Sequence, residues 1–395
     1  MPSAEVVAGL RAWVDANGWT SYDPYDIRGT RAFIALQRIG RSRARRIPLR
    51  SAIEAAQVFP LASRRLLGVR PAVNAHGIGL LAAAYWTLED EAEGRRCLNW
   101  LAANNVSGHP GLGWGYPFDW QSLAFIPRGT PSGFVSVVAG DAFWRAYRAG
   151  GDDADLAACV GVCEFLADAL HRTVTDAGIC FGYTTADDLQ VHNTNLLAAE
   201  FLDRVGREVG RGEWLELAAS AASFTLAEQR PDGAIEYWAR AQPGCVPGFV
   251  DHYHTGNSLR SLHRLWQHSG ETRYRDARNR LFAYYRERLW RDEIPLTHPD
   301  RLRPIDIHAC AEAIHCTAVL ADELPEAVGL GTGAVRWTLD HMRTYPDRFG
   351  HLLVRRLGRD TLTGIPYLRW SQAPMLLALA AHLETMPHPS QPAAD

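Results

Sequence analysis

Apolar positions recur at helical spacing along most of the chain from about residue 76. GIGLLAAAYWTL (77–88), GFVSVVAGDAFWRAYRAG (133–150), NTNLLAAEFLDRVG (193–206), TGNSLRSLHRLWQHSG (255–270), CAEAIHCTAVLADEL (310–324) and QAPMLLALAAHLE (372–384) each predict a helix with a broad apolar face. Second helices lie between them, in DADLAACVGVCEFLADALHR (153–172), WLELAASAASFTLAEQ (214–229) and YRDARNRLFAYYRERLW (274–290). The pattern is helix, short loop, helix, then a longer stretch rich in Gly and Pro.

The longer stretches repeat. Taking His76, Ser132, His192, Tyr253, Asp306 and Tyr367 as corresponding starts, the steps are 56, 60, 61, 53 and 61 residues. Such hairpins stack as an open solenoid or close into a ring. The last segment offers one helix and needs a partner from the N-terminal helices near 5–17 and 30–40. That helix is also too apolar to cap an open array. The expected fold is therefore all-α, an (α/α)6 toroid forming one domain over 1–385, with a flexible tail at 386–395; a repeat solenoid is the alternative.

Ring closure would gather the loops entering the inner helices on one rim. Those loops are GYPFDWQ (115–121), DDLQVHNTN (187–195), DHYHTGN (251–257), RPIDIHA (303–309) and YLRWSQ (367–372). A helix cap needs one Ser, Thr, Asp or Asn. Five polar, aromatic segments ahead of apolar helices point instead to a lined pocket.

Composition narrows the chemistry. The 395 residues carry a formal net charge of −3, giving no electrostatic case for nucleic acid. All 41 basic residues are Arg, so a lysine Schiff base and a P-loop lysine are excluded. The seven cysteines are scattered without a CxxC pair, as expected of reduced thiols. No apolar run reaches the roughly 20 residues of a membrane span, and the N-terminus does not read as a signal peptide. The expected address is cytoplasmic. No GxGxxG follows a strand, and no cofactor is expected. GDDAD (151–155) and QRPDGAIEYW (229–238) superficially match cyclase motifs, but no DxDD or DDxxD is present, leaving a terpene-cyclase-like toroid as a minor reading.

An ordered set of segments carries a family resemblance: SYDPYDIRGT (21–30), RRLLGVRPAVNAHGIGL (64–80), GWGYPFDWQS (113–122) followed by IPRGTPSG, VHNTNLLAAE, DHYHTGNSL, PIDIHACAEAIH and YLRWSQAPML. Together, from about residue 19 to 384, they resemble the VpsJ-like family of bacterial polysaccharide-biosynthesis clusters. The resemblance implies an (α/α) toroid and a carbohydrate context, distantly like uronate C5-epimerases and polysaccharide lyases. Pro374 stands where the family pattern usually has Trp, a departure that bears on the last rim segment.

The candidate residues follow from the rim. Removing the C5 proton of a uronate requires its carboxylate to be neutralised, which His192, Asn193, Asn195 and Arg369 can do as donors. Asn193 or Thr194 also fits an N-cap. In DHYHTG, Tyr253 and His254 are acid/base candidates, with His308 and Asp306 from PIDIHA. Asp251 reads as a participant or as the helix cap, and His252 as a ring donor to substrate. Metal binding by His252 and His254 with Asp306 or His308 is the rival, but the spacing matches no zinc motif and no metal is expected. Paired carboxylates among Asp119, Asp187, Asp188, Asp251 and Asp306 would serve a glycosidase. Trp114, Tyr116, Trp120, Gln121, Tyr367, Trp370 and Gln372 add surface for a sugar ring, each with core packing as its alternative. The sequence thus supports C5 proton abstraction from a uronic-acid glycan or glycosylated small molecule, by epimerisation or elimination. Hydrolysis by paired aspartates, or glycan binding without turnover, are the alternatives.

Overall fold

The computed structural model describes residues 2–39, 55–56, 58–345 and 347–386. The expected tail lies, apart from Met386, outside the described residues. Six inner helices form the ring: α4 (Ala75–Thr87), α6 (Gly133–Gly150), α8 (His192–Val209), α10 (His252–Ser269), α12 (Ile307–Leu320) and α14 (Ala373–Glu384). Each packs on the next, and α14 packs back on α4, which closes the circle. The outer layer comprises α1 (Pro2–Asn17), α5 (Glu91–Ala103), α7 (Asp153–Asp168), α9 (Gly212–Ala227), α11 (Thr272–Arg288) and α13 (Pro325–His341). Helix α1 packs beside α14, supplying the partner the final helix lacks in its own stretch of sequence. Short helices α2 (Arg31–Ile39) and α3 (Pro60–Leu66) lie in the crossing between α1 and α4.

The inner helices are buried all round because both faces meet helices; Leu196, Phe201, Leu262, Ile314 and Leu376 are wholly inaccessible. Turns into the outer layer are tight. Gly151, Gly210 and Gly270 end α6, α8 and α10 in the left-handed conformation, where a side chain would be strained.

Short strands decorate the longer loops, which helical periodicity does not predict. The largest set among the described strands is three-stranded, with β2 (Leu352–Arg356) between β3 (Arg359–Thr363) and β1 (Ile305–Asp306). Leu352 pairs with Asp306, fixing the loop that enters α12. Close approach also holds the N-terminal crossing against the rim. A Cβ on Gly29 would lie 1.8 Å from the Asp119 carbonyl oxygen, so only glycine lets these backbones touch.

Candidate active site

With inner and outer helices alternating, every inner helix begins at the same rim. The second residue of each inner element then points to the axis: His76 in α4, Phe134 in α6, Asn193 in α8, Tyr253 in α10 and His308 in α12. The sixth is Arg369, second residue of a π-turn (Leu368–Gln372) leading into α14. Five of these line a cavity of about 370 Å³, together with Tyr25, Arg28, Tyr116, Phe118, Trp120, Gln121, Tyr183, Tyr237, Asp251, His254 and Trp370. His308 borders a smaller cavity beneath it. His76, Phe134 and Tyr253 line both and form the partition between them.

One wall carries a carboxylate–imidazole pair. Asp251 caps α10 by accepting from the His254 amide at 2.9 Å, and His254 Nδ1 lies 2.7 Å and 2.8 Å from its two oxygens. That bond places the Nδ1 proton toward the carboxylate and leaves Nε2 as the acceptor nitrogen. Burial pushes the Asp251 carboxyl upward, but His254 and its hydrogen bonds outweigh this and hold it below the usual range. The His254 ring also lies 4.2 Å from that of Tyr237.

Beside the pair stands an aromatic stack. His308 lies flat on Trp370 with centroids 4.0 Å apart, and Tyr253 is 3.9 Å from His308. His308 Nδ1 donates to the Trp370 carbonyl at 3.0 Å, leaving Nε2 buried without a partner. Burial, reinforced by Arg369, lowers His308 to about 3, so it stays neutral. Burial likewise raises the Tyr253 phenol, which keeps its proton. Asp306 caps α12 through the His308 amide and accepts from Trp370 Nε1 at 2.8 Å. Burial pushes Asp306 up to about 7 against those two hydrogen bonds.

His76 stands across the ring. Its helix is three places from that of His254 in a circle of six, so the two are on opposite walls. Neither ring nitrogen of His76 has a hydrogen-bond partner among the described residues. Burial and the Arg369 charge hold it well below the usual imidazole range.

The expected carboxylate clamp is arranged differently. Arg369 gives Nε and Nη2 to Asp23, the latter at 2.7 Å, in a fully buried pair. Arg28, at the cavity mouth, instead stacks 4.1 Å over Tyr25 and has no carboxylate partner among the described residues. Asp23, Tyr25 and Arg28 come from SYDPYDIRGT.

Several expected pocket residues lie off the cavity. His192 spends both ring nitrogens on Thr225 and Glu228, at 3.1 Å and 3.0 Å. His252 does the same with the Leu296 carbonyl and Tyr285 hydroxyl, at 3.1 Å and 2.6 Å. The metal set that includes His252 therefore does not converge. Asn195 bonds to Phe181, Ile179 and Ala221 backbone, and Gln372 to both backbone groups of Phe349. Trp114 is core, donating to the Leu101 carbonyl. Tyr367 packs under Arg64, 5.3 Å from its guanidinium carbon. Asp119 accepts from the Arg128 amide, Asp187 closes its own turn, and Asp188 is exposed. His76, Tyr25, Arg28, Tyr183 and Tyr237 line the cavity without having been singled out for it.

No protein-family model and no curated protein matches the chain, so the VpsJ-like resemblance stands on its ordered segments alone. Solved structures do match. The GH76 alpha-mannanase of Bacteroides thetaiotaomicron superposes with a TM-score of 0.60 at 13% identity, over 79% of this chain and 86% of its own. Cellobiose 2-epimerase from Bacillus thermoamylovorans gives 0.59 at 8%, over 78% and 86%. An unsaturated glucuronyl hydrolase specific for heparin gives 0.56 at 14%, over 80% and 88%. The shared fold is the (α/α) toroid. At these identities the likeness carries architecture and not activity. No described helix is long and apolar enough to cross a membrane.

Proposed function

We propose that the chain is a carbohydrate-active enzyme that moves a proton at a ring carbon of a uronic-acid-containing glycan or glycoconjugate. The observation that carries this reading is the Asp251–His254 pair facing His76 across one aromatic cavity. In this reading His254 Nε2 takes the C5 proton, and Asp251 stabilises the imidazolium. The electron pair left on C5 spreads into the substrate carboxylate, and Arg28 neutralises that anion. His76, buried and neutral, returns an N–H proton from the opposite face, which inverts C5. If the C4 substituent departs first, the same carbanion gives an unsaturated sugar. Trp120, Trp370 and the tyrosines supply flat apolar surface for the ring. Carbohydrate-active toroids among the similar structures, an epimerase and a uronyl hydrolase included, support the substrate class. A place in cytoplasmic polysaccharide or glycoconjugate biosynthesis completes this reading.

A second reading, hydrolysis, draws on one observation. Asp251 is held low while Asp306 rises to about 7, a division suited to base and acid. Against it, His254 engages both oxygens of Asp251, and Asp306 Oδ1 already accepts from the His308 amide and Trp370 Nε1.

Proton NMR of uronate oligosaccharides incubated with the protein in D2O tests the reading. Deuterium at C5 without cleavage marks epimerisation, and a new vinyl signal marks elimination. A panel left unlabelled and intact would overturn it; new reducing ends without labelling would move the assignment to hydrolysis.

A further inference from the structure

The smaller cavity, about 60 Å³, lies on the ring axis below the partition of His76, Phe134 and Tyr253. Its sides are apolar, formed by Leu80, Val137, Leu197 and Leu377, but Arg204, Arg260, Arg264 and His315 also reach it, together with the Asp141 and Glu312 carboxylates. The charge around it does not balance. Asp141 serves three guanidiniums: Arg204 at 2.9 Å, Arg145 at 3.1 Å and Arg264 at 3.5 Å. Glu200 shares Arg204 at 3.1 Å, and Glu312 is taken by Arg260 at 2.8 Å and 3.0 Å. Four buried or half-buried guanidiniums thus answer to three carboxylates. Glu384 also faces Arg145 but is exposed to solvent, which screens it.

Among the described residues, Arg204 Nη2 and His315 Nε2 are buried with no hydrogen-bond partner, as are His308 Nε2 and both His76 nitrogens on the same lining, while Arg204 Nε and the Glu200 carboxylate meet only as an ion pair at 3.1 Å. A buried donor without an acceptor is costly, and a buried cation without a counter-charge more so. Desolvation and the neighbouring arginines pull Arg264 down to about 10, the behaviour of an under-compensated cation. Water could accept hydrogen bonds in this space but would leave the excess charge. The volume admits one or two water-sized occupants and excludes a sugar ring.

We propose that this axial cavity is a binding site for a small monovalent anion of the halide class, held by Arg204, Arg264 and His315. The site is independent of the reaction assigned to the cavity above.

The test is a crystal grown without chloride and soaked in sodium bromide, with diffraction recorded at the bromine edge. The expected result is an anomalous peak between Arg204 and Arg264. Melting in sodium chloride should rise by a few degrees and saturate at millimolar concentration, unlike melting in sodium gluconate of equal ionic strength. Arg264→Met should make the two salts equivalent. If that variant does not fold, the bromide map of the unaltered chain decides. A cavity without an anomalous peak, or identical melting in both salts, would overturn the assignment.

Discussion

His254 Nδ1 sits 2.7 Å from the Asp251 carboxylate that also caps the helix bearing His254. One side chain therefore starts the helix and sets the tautomer of its candidate base. These duties separate in Asp251→Asn, because Asn is as good a cap as Asp but cannot stabilise an imidazolium. Turnover should fall on the order of 10⁴-fold, while the urea midpoint stays close to that of the unaltered chain. A variant that keeps its rate would remove His254 as the base.

Arg28 offers a charge to the cavity, stacked over Tyr25. Hydrogen bonds to charged groups contribute about 1.5–3 kcal/mol, so Arg28→Gln should raise KM for a uronate roughly 10- to 100-fold. Binding of the corresponding neutral sugar should not change. Equal loss for both ligands, read by calorimetry, would count against a carboxylate-recognising role.

Asp23 and Arg369 form a buried pair between the N-terminal crossing and the last rim segment. Removing one partner strands the other charge, so Asp23→Ala should cost about 3–5 kcal/mol in urea unfolding. The double variant Asp23→Leu with Arg369→Met should recover much of that loss. A single variant within 1 kcal/mol of the parent, on the same order-of-magnitude scale, would show that the pair does not anchor the crossing.

Burial holds His252 at about 4, and His308 and His351 at about 3, so all three are neutral when folded. Unfolding frees them to bind protons near 6.5, and stability should fall as pH drops from 6.5 toward 3–4. Asp306, raised by burial to about 7, and Asp26, raised by burial to about 6, act oppositely, since their contribution is lost as pH rises from 4 to 6–7. Three groups against two, with larger shifts on the histidine side, decide the sign. Calorimetric melting temperatures should be lower at pH 5 than at pH 7, with a shallower slope in His351→Phe.

The ring was legible because helical periodicity and a 53–61 residue step survive in one sequence without alignment. The rim was legible too, as polar segments ahead of apolar helices. Individual roles were not, and helix phase is the reason. Neighbouring residues at a helix start are turned about 100° from each other. His192 and His252, first residues of α8 and α10, turn to the outer layer, whereas Asn193 and Tyr253, one place later, turn to the axis. Aligning the repeats on that second position would have selected His76 with Tyr253 and His308. Arg28 and Tyr25 gave no such signal, since they reach the cavity from a crossing outside the repeat.

Closure of the ring by α14 has a temporal side. Arg369 and Trp370 complete the cavity wall, and they lie just before the helix that joins α12 to α4. A chain still being synthesised can stack its earlier hairpins but cannot enclose the cavity until these late residues emerge. Binding competence therefore arrives in one step, once these residues have joined the ring, and a fragment stopping before residue 368 would be silent rather than partly active.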